Sequence, residues 1–253
     1  MDIEQCVKQV LVDGCCLLKD HFPRQAVEAC RQGFLPLLEQ AVGRVPEGNR
    51  GHNRWAIGLP FAPPFYHSAF FVDEAVNEVC RRILGDDMHI ACYAADTPIK
   101  GSQDQQVHAD IPPAFPEDPD LRHPPMTLSV RFTFGEMTME NGPFEVALGT
   151  QHLPRAETLA KLEAGDLPLK PLLLDAGDVI ISDARTPHRG TPNRSDEPRP
   201  FAVICYNRSY YFAEHLERPL EANESTPRLL ETFYQSLSEE EQRLLRRVRR
   251  TPG

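Results

Sequence analysis

Three side chains in this sequence could hold one metal ion, and a fourth could hold an anion beside it. They begin in Gln105-Gln106-Val107-His108-Ala109-Asp110. In an extended chain residues i and i+2 share a face, so His108 and Asp110 can reach the same ion. His188 stands 78 residues beyond Asp110, in a loop that follows the apolar β-branched run Val179-Ile180-Ile181. Two imidazoles and one carboxylate form the facial donor set of non-haem Fe(II) sites, which leaves coordination positions open. Arg199 follows 11 residues later, just before a second apolar run, Phe201 to Tyr206. Its guanidinium is a planar fork suited to a carboxylate. His-x-Asp alone is common by chance; the ordered set of His-x-Asp, His and Arg is more specific.

These stretches resemble the phytanoyl-CoA dioxygenase-like family of Fe(II)/2-oxoglutarate oxygenases. The matching pieces are V-H-A-D at 107–110, N-G-P-F-E-V-A-L-G-T-Q-H at 141–152, G-D-V-I-I-S-D at 177–183, H-R-G-T-P-N-R-S at 188–195, and Arg199. D-G-C-C-L-L at 13–18 is similar to the family's first strand, and the pieces keep family order over residues 8–212. The resemblance implies that His108, Asp110 and His188 bind Fe(II). It implies that Arg199 pairs with the distal carboxylate of 2-oxoglutarate, with O2 as the other cosubstrate. By the family spacing His188, rather than His152, is the partner of Arg199; Arg189 and Arg194 are alternative cations. Two positions depart from the family. Arg131 stands where an aromatic or apolar residue is usual, and Leu148 replaces a proline. Related halogenases lack the carboxylate, so Asp110 points to hydroxylation, or a desaturating or ring-forming variant, on a small molecule. Two other readings stay open: a cupin-like metal-dependent isomerase or hydrolase, and a catalytically silent binding protein.

The fold implied is mainly β with flanking α: a double-stranded β-helix, or cupin-like jelly roll, with N-terminal helices on the major sheet. A chain of 253 residues, 41% apolar, can build one domain over residues 1–253 with its own core. A net charge of −10 argues against nucleic acid or an anionic membrane as the main partner. No window approaches the roughly 20 apolar residues of a membrane span. Met1 to Gln5 lacks a basic segment followed by an apolar one, so no secretory signal is expected. Seven scattered cysteines read as reduced, packed thiols, which fits the cytoplasm.

The elements that must position the site follow from periodicity. Residues 2–11 read as a helix, 15–18 as a strand, and Pro23 opens a second helix. Gly43 to Gly58 reads as a loop, leading into an aromatic, proline-rich stretch from Phe61 to Phe71. Trp55, Phe65 and Tyr66 there either pack over the core or form a substrate lid. Val72 to Leu84 is amphipathic, and Met88 to Tyr93 is a strand that brings Tyr93 toward the Gln105–Asp110 segment. Six prolines between Ile111 and Pro125 mark a semi-rigid loop beside the metal site. In Thr127 to Phe134, Leu128, Val130, Phe132 and Phe134 alternate with Thr127, Ser129, Arg131 and Thr133. Alternation alone leaves open which face meets the helices. If the apolar face does, Arg131 and Thr133 line the interior with Gln105, Tyr93 and Trp55 as further candidate contacts. Tyr210, Tyr211 and Phe212, in a segment running from Ser209 to Glu217, would pack on the barrel rim. Ser238 to Glu241 reads as a capping box.

Overall fold

The computed structural model describes residues 2–115, 117–212 and 229–252. Its larger sheet contains β1 (Cys15–Leu18), β2 (Arg54–Gly58), β3 (His89–Pro98), β4 (Thr127–Thr133), β7 (Val179–Asp183) and β9 (Phe201–Asn207), in the order β1-β7-β4-β9-β3-β2. The smaller sheet contains β5 (Phe144–Val146), β6 (Lys170–Leu172) and β8 (His188–Gly190), in the order β6-β5-β8. All these pairings are antiparallel. Neighbouring strands are distant in sequence, so the chain crosses repeatedly between the sheets, as in a jelly roll. The expected mainly β fold with flanking helices is the one observed.

The alternation on β4 resolves in favour of a helix-covered apolar face. Leu128, Val130, Phe132 and Phe134 are buried with Val27 and Phe34 of α2 (Arg24–Arg44), Phe70 of α3 (Ser68–Phe71), and Val76 and Val79 of α4 (Glu74–Leu84). Phe132 lies edge-on to Phe22 at 5.2 Å and tilted to Phe70 at 4.8 Å. Truncating so enclosed a ring to alanine costs about 3–5 kcal/mol. Arg131 and its i±2 neighbours therefore face the space between the sheets. On β3 a bulge between Ile90 and Cys92 shifts the phase. Beyond it Tyr93 and Ala95 join the helix-side core, while Cys92, Ala94 and Asp96 face inward.

The helices are held at their ends. Asp2 accepts from the Gln5 amide before α1 (Ile3–Asp13), and Gly14 closes that helix at φ 86°. Asp73 accepts from the Val76 amide to begin α4. Pro154 precedes α5 (Arg155–Ala164), and Gly165 closes that helix at φ 80°. Beyond the described α6 (Glu231–Gln235), α7 (Glu239–Leu245) starts with the capping box of Ser238 and Glu241.

Three expectations need correction. The 43–58 stretch is not loop throughout: Arg54 to Gly58 pair with β3 as the edge strand β2. Its glycine- and asparagine-rich flank hides a Trp-Ala-Ile run long enough to pair. Of the two roles open to Trp55, Phe65 and Tyr66, core packing is the one observed: all three are buried, with Trp55 Nε1 donating to the Val45 carbonyl at 2.8 Å. The strand read as ending at Tyr93 continues to Pro98. Pro116, and the part of the 209–217 segment after Phe212, lie outside the described residues. Tyr210 and Phe212 are exposed rather than packed.

Candidate metal centre

His108 and His188 are brought together by backbone pairing. Their amides and carbonyls exchange hydrogen bonds of 3.0 and 2.8 Å as an isolated antiparallel bridge, which extends the smaller sheet beyond β8. Directly opposed residues project to the same side, and the two rings lie 4.6 Å apart. Asp110, two residues on, is anchored by its amide to the Ala184 carbonyl just after β7. One ligand atom from each of the three side chains lies within 4.8 Å of the others.

Both imidazoles are oriented from behind. His188 Nδ1 lies 2.9 Å from the Thr186 carbonyl oxygen, and His108 Nδ1 lies 2.8 Å from that of Gln106. A carbonyl only accepts, so each Nδ1 carries the proton and each Nε2 offers its lone pair. Asp110 Oδ1 lies 3.4 Å from His188 Nε2 and 4.0 Å from His108 Nε2. Donors about 2.1 Å from a metal and at right angles to one another would be about 3 Å apart. The cluster therefore needs only small adjustments to accept an ion on one face.

Charge and burial favour the metal-binding forms of Asp110 and His108. Burial would raise the Asp110 pKa, but His188, Arg131 and His108 together hold it well below the usual carboxylate range. Burial lowers that of His108, and the neighbouring His188 adds to this, so the ring stays neutral.

The cluster opens into a cavity of about 320 Å³ between the sheets. Arg199 reaches it from just before β9 and is 2% exposed, with Nε and Nη2 lacking any hydrogen-bond partner among the described residues. Burial pulls its pKa down to about 9; Asp96 opposes that shift and Arg54 adds to it. A buried guanidinium with idle donors is costly unless an anion completes it. The residues present thus fit both parts of the expected pair, a divalent metal and a carboxylate cosubstrate.

The other candidates divide. Arg131 and Gln105 line the cavity, and Gln105 Oε1 accepts from the Gly190 amide at 2.9 Å. Thr133 shares the face of Arg131 but is buried at the end of β4, its hydroxyl donating to the Pro200 carbonyl at 3.2 Å, and does not line the cavity. Trp55 and Tyr93 sit on the helix side of the larger sheet, where the Tyr93 hydroxyl donates to the Phe65 carbonyl at 2.9 Å. They do not line the cavity, because alternation puts their neighbours there instead. His152 is held at the Leu11 carbonyl, and Arg189 pairs with Glu145 at 2.7 Å. Sequence reasoning missed Asp96 and Arg54. Arg54 is 1% exposed, donates to Asp96 at 2.8 Å and to the Thr191 carbonyl at 2.8 Å, and forms part of the wall behind Gly190. Extending the alternation past Tyr93 would have placed Asp96 inward.

A profile of the phytanoyl-CoA dioxygenase family matches residues 11–201. The chain belongs to that family. Membership makes it an Fe(II)/2-oxoglutarate-dependent oxygenase. Solved structures agree on the fold. HygX from Streptomyces hygroscopicus, with nickel, 2-oxoglutarate and hygromycin B bound, superposes with a TM-score of 0.60 at 14% identity, covering 85% of this chain and 94% of that one. EctD from S. alaskensis, with 2-oxoglutarate and 5-hydroxyectoine, gives 0.61 at 20% identity, over 82% and 76%. SnoK, a non-haem carbocyclase from nogalamycin biosynthesis, gives 0.62 at 16% identity, over 86% and 92%. Among the described residues of this family member, no helix is long and apolar enough to cross a membrane.

Proposed function

We propose that this oxygenase hydroxylates an unactivated C–H bond of a small molecule, with 2-oxoglutarate converted to succinate and CO2. In this reading His108, Asp110 and His188 hold Fe(II), and Arg199 takes the far carboxylate of 2-oxoglutarate. The carrying observation is the Arg199 guanidinium, buried with unpartnered donors in the same cavity as the His-Asp-His cluster. Bound iron and 2-oxoglutarate would supply dioxygen activation and oxidising equivalents. The chain's own residues do the rest. Thr186 and Gln106 carbonyls fix the tautomers of the two imidazoles. Arg199 orients the cosubstrate by its fork, and Asp96, paired to Arg54, stands near it without consuming its free donors. Phe144, Phe201, Ala94 and Val203 give the cavity apolar walls that exclude water.

A cavity of this size between two sheets suits a small substrate, and the net charge of −10 disfavours nucleic acid. The solved structures of HygX and EctD contain small molecules, hygromycin B and 5-hydroxyectoine. Asp110 supplies a third protein ligand, so no position is left for halide. The carbocyclase name of SnoK favours ring closure as the second reading, since it would start from the same oxidised C–H bond. We place the whole activity in one domain over residues 1–253, working in the cytoplasm.

The test is a panel of small molecules screened for substrate-stimulated succinate formation, followed by product mass under labelled dioxygen with chloride present. One labelled oxygen in the product supports hydroxylation. Loss of two hydrogens without oxygen moves the reading to ring closure or desaturation, and a chlorinated product refutes it.

A further inference from the structure

Arg131 is the departure from family pattern that the fold turns into the centre of the site. It is 5% exposed and sits midway along β4, facing the cavity. Its Nη2 donates to Asp110 Oδ2, its Nη1 donates to the Ser182 hydroxyl on β7, and its Cζ lies 5.3 Å from the centre of the Phe144 ring. The two oxygens of Asp110 are thereby divided. Oδ1 faces the imidazole Nε2 atoms at 3.4 and 4.0 Å, whereas Oδ2 faces the guanidinium.

We propose that Arg131 is a positioning residue for the metal centre: by occupying Oδ2 it limits Asp110 to a single metal bond through Oδ1. The inference rests on reading His108, Asp110 and His188 as the ligands. Its consequence follows from counting positions. An octahedral ion with two imidazoles and one carboxylate oxygen keeps three positions open. A carboxylate free to swing can chelate through both oxygens and would take one of those three. A buried arginine suits this task better than a lysine. It stays charged, and its fork can hold Oδ2 and the Ser182 hydroxyl in one plane. With both arms engaged inside the protein, Arg131 is poorly placed to recognise an anionic substrate. The guanidinium also offsets the negative charge of Asp110 before a metal arrives.

The test uses the full chain, stripped of metal and without cosubstrate or substrate. Mn(II) uptake is followed by loss of the free-ion electron paramagnetic resonance signal. The visible bands of a Co(II)-loaded sample report coordination number. Wild type is compared with Arg131→Met, Arg131→Lys and Ser182→Ala, after thermal melts show which metal-free variants are folded. Loss of a residue behind a ligand typically costs about 10–100-fold in metal affinity. Arg131→Met is expected to depart from the wild-type affinity by a factor of that order and to change the Co(II) bands, as Asp110 chelates through both oxygens. Arg131→Lys should return part of the way to wild type, because an ammonium can still reach Oδ2. Ser182→Ala should fall between wild type and Arg131→Met.

If folded Arg131→Met takes up Mn(II) as wild type does and its Co(II) bands superimpose, the inference fails while the metal site stands. Should Arg131→Met not fold, unchanged affinity and bands in both Arg131→Lys and Ser182→Ala would overturn the inference equally. Absence of Mn(II) uptake by wild type overturns the metal-site reading and takes this inference with it.

Discussion

Arg199→Met should make the protein free of metal and cosubstrate more stable while abolishing its response to 2-oxoglutarate. The guanidinium is 2% exposed, and two of its donors meet nothing. Each buried unpartnered donor costs about 1–3 kcal/mol. Methionine fills similar space with no polar group. The change forfeits the contact of Arg199 Cζ with the Phe201 ring at 5.7 Å, worth about 0.5–1 kcal/mol. Asp96 is not orphaned, since Arg54 holds it at 2.8 Å. The net gain should be about 1–4 kcal/mol, the range seen when buried ions are replaced by apolar side chains. For a chain of this size each kcal/mol moves Tm by about 2–4 °C, so a rise of several degrees is expected. The assay is a thermal melt of the metal-free protein, repeated with Mn(II) in the presence and absence of 2-oxoglutarate. At a hundred times its Kd, a ligand that binds only the folded state adds about 2.7 kcal/mol; wild type should show that increment and Arg199→Met should not. A variant less stable than wild type, or one that keeps the 2-oxoglutarate increment, would refute the claim that Arg199 is an anion receptor held ready at a stability cost.

Three further outcomes follow from named contacts. Burial opposes ionisation of Asp73, but His21 and the Val76 and Ala75 amides bring its pKa below the ordinary value. The stability it contributes is therefore present above the unfolded carboxylate pKa of about 3.9 and lost as pH falls through the lower folded value. Guanidinium midpoints should hold from pH 7 to 5 and drop below about pH 4. Asp73→Asn, which keeps a capping oxygen, should be weaker at neutral pH and decline less steeply in acid; an unchanged profile would count against this pairing. Trp55→Phe should cost about 0.5–1.5 kcal/mol through the lost hydrogen bond to the Val45 carbonyl, which keeps its bond from the Gly48 amide. It should leave the 2-oxoglutarate Kd unchanged; a shifted Kd by calorimetry would return Trp55 to the site. Gly190→Ala would place a Cβ 2.8 Å from Gln105 Oε1 and against the Arg54 guanidinium. Overpacking there should cost about 1–3 kcal/mol in chemical denaturation, and a neutral result would mean the wall behind β8 is softer than it looks.

The grouping of His108, Asp110 and His188 was legible in the sequence because it is largely local. His-x-Asp on an extended segment, and His188 after a β-branched run, need only strand periodicity to be placed together. The buried face of β4 was equally legible as a pattern, but its direction was not. Only the packing of Phe132 and Phe134 against α2 and α3 decides that Arg131 points inward. Tyr93 was misplaced for a related reason: alternation tells which residues share a face, and one bulge, here between Ile90 and Cys92, reverses the answer. Trp55 was misplaced because its short strand, β2, was read as loop. Asp96 was missed because the strand was read as ending at Tyr93, and its partner Arg54, 42 residues away, leaves no periodic trace of a buried charged pair.

The most direct measurement is anaerobic titration of Fe(II)-loaded protein with 2-oxoglutarate, watching the visible charge-transfer band of the chelate in wild type, His188→Ala and Arg199→Ala. A band in wild type, absent in His188→Ala and shifted to much higher cosubstrate concentration in Arg199→Ala, is the predicted result. No band in wild type, or an undiminished one in His188→Ala, would contradict the assignment of this cavity as the iron and 2-oxoglutarate site.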